Sequence, residues 1–450
     1  MRRLALICCL TLSVGAGRLS VALAGGDCTR TSTGRIPLSD LGTGTYQGVI
    51  GGLYPGGSNA RPPGHDAGAD TAARVALLDP GGVPDTALGR IVLLTIGMSN
   101  TNFESQAFLP LASADPQKNA RVVVVNGAQG GWDAHKVADP AQNATFWSTV
   151  DARLSAAGVT GLQVQAVWLK EAEAGPTQAF PLDAQILQGD LEAIVRTIKT
   201  RYPNTRQVYN SSRIYAGYAV STLNPEPYAY QSAFAVRGMI AGQLSGSPSL
   251  NFDPARGPVV APWLAWGPYT WADGLTARSD GLTWACDELR DDGTHPSDSG
   301  AQKVAGMLLA FFRTDPIASR WYGDCDLNDP AVFAAPPDVV NVRASFDSIT
   351  SGVVLEWESL DPVTGAGSSY DVVSGSLLAL RQTGGFGDAT CAAAAVPGVR
   401  IPDPTALPPP GDVSYYLVRG RNGCGIGTYG EPSALPGPRQ ALDQASPCPN

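Results

Sequence analysis

Between residues 88 and about 322 the chain alternates short apolar, β-branched runs with longer amphipathic stretches. That alternation limits the fold more than any other feature. Runs at 90–96, 121–126, 162–169 and 207–210 predict strands, and stretches at about 144–157, 182–201, 228–243 and 298–313 predict helices. The segment from Leu182 to Tyr202 shows the helical period most clearly. Its Ile186, Leu187, Leu191, Ile194, Val195 and Ile198 fall on one face. Strand–helix alternation predicts a parallel sheet covered on both sides, hence a three-layer α/β/α domain. Ligands in such folds sit beyond the carboxyl ends of the strands.

On either side of 88–330 the pattern changes. Residues 1–24 read as a secretory signal peptide, with Arg2 and Arg3 before an apolar run and Ala22-Leu23-Ala24 at the cleavage positions. Residues 25–87 are an irregular Gly- and Pro-rich leader, expected to pack over the next domain. A linker at 331–337 leads to residues 338–437, where Val353–Trp357, Tyr370–Val373 and Tyr415–Val418 read as strands with no convincing amphipathic helix between them. These predict a small all-β sandwich, with Trp357, Tyr370 and Tyr415 or Tyr416 in its core, followed by a tail at 438–450.

Composition narrows the setting. Removing residues 1–24 takes away three arginines and no acids, moving the formal charge from −9 to −12. So acidic a chain, without a basic cluster, is a poor partner for nucleic acid or anionic membrane. The apolar core of the signal is too short to span a bilayer, and no other stretch is long enough. A secreted, extracellular or periplasmic location is expected. Six cysteines remain after cleavage: Cys28, Cys286, Cys325, Cys391, Cys424 and Cys448. An even number in an exported chain reads as disulfides, and no pair has the short spacing of a zinc site. Locality favours Cys286–Cys325 and Cys391–Cys424, leaving Cys28 with Cys448. No metal or cofactor is expected, and the sequence leaves the oligomeric state open.

Two motifs carry chemistry. The run Ile91–Ile96 ends in Gly97-Met98-Ser99-Asn100-Thr101, and far downstream lies Asp292-Gly293-Thr294-His295-Pro296, holding one of three histidines. A serine hydroxyl becomes a nucleophile when a base takes its proton, and a carboxylate fixes the tautomer of a histidine base. Ser99, His295 and Asp292 therefore form a candidate triad. With Asn126-Gly127-Ala128-Gln129-Gly130-Gly131, these motifs make residues 90–315 resemble the SGNH, or GDSL-type, serine hydrolases. The resemblance implies a flavodoxin-like α/β/α fold, an acyl-enzyme on Ser99, and an oxyanion hole from the backbone of Ser99 and Gly131.

Two positions depart from the family. Met98 stands where Asp is usual, and Gly-x-Ser-Asn is closer to the carbohydrate O-acetylesterase branch. The third block lacks its oxyanion asparagine: Lys170-Glu171-Ala172-Glu173 follows the central strand instead. Lys170, Glu173 and Asn100 are open as substitute oxyanion or cleft residues, and Trp266 and Trp271 as walls of a substrate cleft. The expected activity is hydrolysis of small acyl esters, O-acetyl on carbohydrate preferred. A lipid or aryl esterase, and a catalytically silent binding or adhesion protein, stand as alternatives. The C-terminal sandwich resembles fibronectin type III modules.

Overall fold

The computed structural model describes residues 26–323 apart from Thr86. Of residues 336–450 it describes all but 337, 348–351, 365–366, 404–407, 423–424, 431–438, 440–441, 444–446 and 449–450. The expected signal peptide, nearly all of the linker, Cys325 and Cys424 lie outside the described residues.

Five strands form one parallel sheet: β1 (Ile91–Gly97), β2 (Val122–Asn126), β3 (Val164–Lys170), β4 (Gln207–Asn210) and β5 (Trp263–Trp266). Their order is β2-β1-β3-β4-β5, the flavodoxin-like arrangement. β1 and β3 are buried at every residue, as a sheet covered on both faces requires. The helices are α1 (Ser99–Ala114), α2 (Ala134–Ala138), α3 (Ala144–Ala156), α4 (Leu182–Arg201), α5 (Tyr228–Leu244) and α6 (Asp298–Thr314).

Most of these elements match the sequence expectation. The exceptions are α1, the short α2 and β5. α1 has few bulky apolar residues and carries Pro110, so its helical period is weak. β5 holds Trp263 and Trp266, and all four of its residues are buried.

The leader is built from short pieces that attach to the sheet domain. A helix over Pro63–Asp70 places His65 against Trp263, rings stacked 4.9 Å apart, with Nε2 at 2.8 Å from the Leu264 carbonyl. The Leu53 carbonyl accepts from the Trp266 indole at 2.7 Å, and Asp273 receives Ser32, Thr33 and the backbone of Gly34. Cys28 is bonded to Cys286, and Cys391 to Cys448. All three expected pairings are therefore corrected. Locality along the chain was the wrong guide, because the leader folds back beside Cys286 and the C-terminal tail beside Cys391.

The C-terminal strands form two antiparallel sheets. They are β6 (Arg343–Asp347), β7 (Gly352–Glu356), β8 (Ser369–Ser376), β9 (Thr390–Pro397), β10 (Arg400–Pro402), β11 (Ser414–Asn422) and β12 (Gly425–Ile426). One sheet runs β9-β8-β11-β12 and the other β10-β7-β6. Leu355, Trp357, Tyr370, Val372 and Val418 share one core, with Tyr416 packed at its margin. Contrary to expectation, a helix (Leu377–Thr383) follows β8, capped by the Ser376 side chain.

Candidate active site

β1 and β3 are neighbours, and Gly97 at the end of one is in register with Lys170 at the end of the other. The chain turns sharply after Gly97 to start α1, and only glycine fits that turn. A Cβ there would lie 2.3 Å from both the Lys170 carbonyl and Thr101 Oγ1. Met98 is buried, so the second position of the motif is an apolar core position in this chain. Ser99 then opens α1, half-buried, at a helix end whose N–H groups have no intrahelical acceptor.

The second segment arrives just before α6, which begins at Asp298 with Ser297 as its cap. Gly293 takes a positive φ of 63°, and a Cβ there would meet the Tyr218 carbonyl at 2.3 Å. This tight packing places His295 with Nε2 2.7 Å from Ser99 Oγ. Its Nδ1 is hydrogen-bonded to Asp292 Oδ2. With Nδ1 protonated and donating to the carboxylate, Nε2 is left as the acceptor for the serine hydroxyl. Phe103 presents its ring edge-on to the imidazole, centroids 5.9 Å apart.

Asp292 Oδ1 accepts from the backbone N–H of Thr294 and of His295, both at 2.9 Å. Partial burial pushes its carboxyl up, yet these bonds and the His295 side chain win and hold it well below the usual carboxylate range. It is therefore ionised at neutral pH.

The glycine turn after β2 lies beside the serine: a Cβ on Gly130 would come 3.8 Å from Ser99 Cβ. Gly131 has φ 81° and open space where a side chain would stand. Its carbonyl accepts from Lys136 Nζ at 2.9 Å.

The substitute residues behave differently from expectation. Lys170 is fully buried, and its ammonium donates to Glu104 Oε1 on α1 at 2.5 Å. Burial pulls its pKa down to about 8, against the attraction of Glu104. It is held in the core and is not a free oxyanion donor. Asn100 is also buried, and its Nδ2 donates to the Thr294 carbonyl at 3.1 Å, which withdraws it from an oxyanion role. Glu171 is buried, with Oε2 accepting from the Ala172 N–H at 3.3 Å, and burial raises its carboxyl far above the ordinary value.

Glu173 is pushed up to about 8, first by burial and then by the neighbouring negative charge of Asp190. On the far side of Asp190, the exposed His135 ring nitrogen lies 3.5 Å from Oδ2.

Trp266 and Trp271 are corrected from cleft walls to core. Both are buried, and Trp271 Nε1 donates to Glu226 at 2.8 Å. The sequence reading missed Glu104, buried on α1. Arg213 is buried behind the histidine loop, with Nη2 3.5 Å from the Thr294 carbonyl. Glu104 is the one charged residue of α1, which was the available signal for it. Among the described residues no group of His, Cys, Asp and Glu is arranged to hold a metal ion.

No protein-family model and no curated protein matches the chain. Solved structures resemble it over about half its length. A carbohydrate esterase family 3 protein from Talaromyces cellulolyticus is 16% identical over 48% of this chain and 94% of its own, with a TM-score of 0.30. A putative acylhydrolase from Bacteroides fragilis is 13% identical over 54% and 92%, TM-score 0.31. The lipase Lip_vut3 from a goat rumen metagenome is 12% identical over 49% and 96%, TM-score 0.29. Likenesses this weak decide nothing about chemistry, which rests on the side chains around Ser99.

Proposed function

We propose that the chain is a secreted serine ester hydrolase of SGNH type. One observation carries the reading: Ser99 Oγ, His295 and Asp292 stand in an unbroken hydrogen-bonded line at the carboxyl edge of a parallel sheet. His295 Nε2 takes the hydroxyl proton as Ser99 Oγ bonds to the ester carbonyl carbon. The carbonyl oxygen becomes an oxyanion, for which the N–H groups of Ser99 and Gly131 are the donors. Losing one such donor typically costs ~3 kcal/mol of transition-state stabilisation. The intermediate expels the alcohol, protonated by His295, and water releases the acid from Ser99 by the same steps in reverse.

The preferred substrate is a small acyl ester, O-acetyl on a carbohydrate, on the strength of Gly-x-Ser-Asn at residues 97–100. The leader at 25–87 belongs to the enzyme unit, and the C-terminal sandwich, as a fibronectin-like module, acts as spacer or binding appendage.

A fluorophosphonate probe tests the mechanism. Wild-type protein is expected to be labelled once, on Ser99, with labelling abolished in Ser99→Ala. Hydrolysis should fall as pH drops through the range where an imidazole gains its proton. Acetylated xylan compared with p-nitrophenyl esters of rising chain length separates the carbohydrate reading from a lipid or aryl esterase. The commitment of Lys170 and Asn100 to other partners favours a second reading, a silent binding protein. Absence of labelling in pure, folded wild type would establish that alternative.

A further inference from the structure

One peptide group in the histidine loop is held on both edges. The peptide between Thr294 and His295 gives its N–H to Asp292 Oδ1 at 2.9 Å. On the opposite edge its carbonyl accepts from Asn100 Nδ2 at 3.1 Å and from Arg213 Nη2 at 3.5 Å. Asn100 follows Ser99 in the chain, so the donor that grips the histidine loop is fixed to the same helix turn as the nucleophile.

The plane of that peptide sets the direction in which the His295 side chain leaves the backbone. Rotation of the plane would displace the imidazole ring, several bonds away, from its 2.7 Å contact with Ser99 Oγ. Without Asn100 the buried carbonyl keeps only the longer bond to Arg213. An under-satisfied buried carbonyl favours rotation toward another donor.

We infer that Asn100 is a positioning residue, which locks the Thr294–His295 peptide and thereby holds the imidazole in line with Ser99 Oγ. The inference rests on the serine-hydrolase reading and adds a role to a residue outside the triad. Arg213 is the second, weaker grip on the same carbonyl.

Two variants separate donation from bulk. Asn100→Asp keeps the shape and removes the donor, and Asn100→Ala removes both. Turnover is normalised to the sites titrated with a fluorophosphonate, so that misfolded protein does not count. For both variants kcat per titrated site is expected to fall roughly 10- to 100-fold with KM little changed, the signature of a displaced catalytic group. A packing role would lower the number of titratable sites and leave kcat per site intact.

A second readout needs no turnover: the low-field proton resonance of the Asp292–His295 hydrogen bond, recorded in the Ser99→Ala background. Its loss in Asn100→Asp supports the lock. A kcat per site within twofold of wild type, with the resonance retained, overturns it. Should wild type neither label nor turn over, the hydrolase reading falls, and the resonance alone decides the lock: loss supports it and retention overturns it.

Discussion

β1 and β3 end side by side, and the two ends are used in opposite ways. At the β1 end the backbone turns within two residues, and Ser99 is left half-buried with its hydroxyl on His295. At the β3 end Lys170 and Glu171 turn inward and are 2% exposed. A flavodoxin-like sheet places both ends at the switch point where ligands bind, yet only one is fitted for chemistry here. The difference lies in where each end finds its partners. Ser99 is shaped by a local steric demand, whereas Lys170 is captured by Glu104 from the helix packed above.

The comparison breaks most decisively at Lys170. Lys170→Met leaves Glu104 buried without its cation, and removing one member of a buried pair typically costs about 3–5 kcal/mol. Chemical denaturation should show that loss, and the double variant Lys170→Met/Glu104→Leu should recover most of it, because two apolar residues leave no orphaned charge. If Lys170→Met folds with wild-type stability but fails to turn over substrate, Lys170 serves the site after all and the contrast between the two strand ends disappears.

A smaller effect sharpens the other half. Gly97→Ala forces a methyl group against the Lys170 carbonyl and the Thr101 side chain, where backbone cannot yield cheaply. Overpacking of this kind costs about 1–3 kcal/mol, and a lower melting temperature should accompany reduced labelling of Ser99. Unchanged melting would mean that the turn does not need glycine.

These cases also show which parts were legible in the sequence. The strands β1 to β4 and the helices α3 to α6 follow from periodicity, because burial of one face or both is written into each segment by itself. Ser99, Asp292 and His295 were legible for a similar reason: strand, glycine turn and Asp-x-x-His are short patterns with local causes. α1 was not, since it is held by packing against α6 rather than by an apolar stripe of its own. The disulfides failed because Cys28 and Cys286 are 258 residues apart, and nothing in composition says where a Gly-rich leader returns. Trp266 and Trp271 failed because a cluster of aromatics looks alike in sequence whether it lines a cleft or fills a core.

The last effect concerns Glu173, and its sign follows from the direction in which burial moves its carboxyl. Its folded pKa of about 8 lies above the ordinary 4.5. Between those values the native state keeps a proton that the unfolded chain has released. Stability therefore falls as pH rises through that window, by at most about 1.4 kcal/mol per pH unit for one group. Asp292 works in the opposite sense. Its depressed pKa adds stability above its ordinary value of 3.8 that is lost only as pH falls further, so the two windows do not overlap. Glu173→Gln places an amide donor where the carboxyl was and removes the titration. Melting temperature should fall from pH 5 to pH 8 in wild type and fall less in the variant. Parallel curves would mean that Glu173 is ionised throughout.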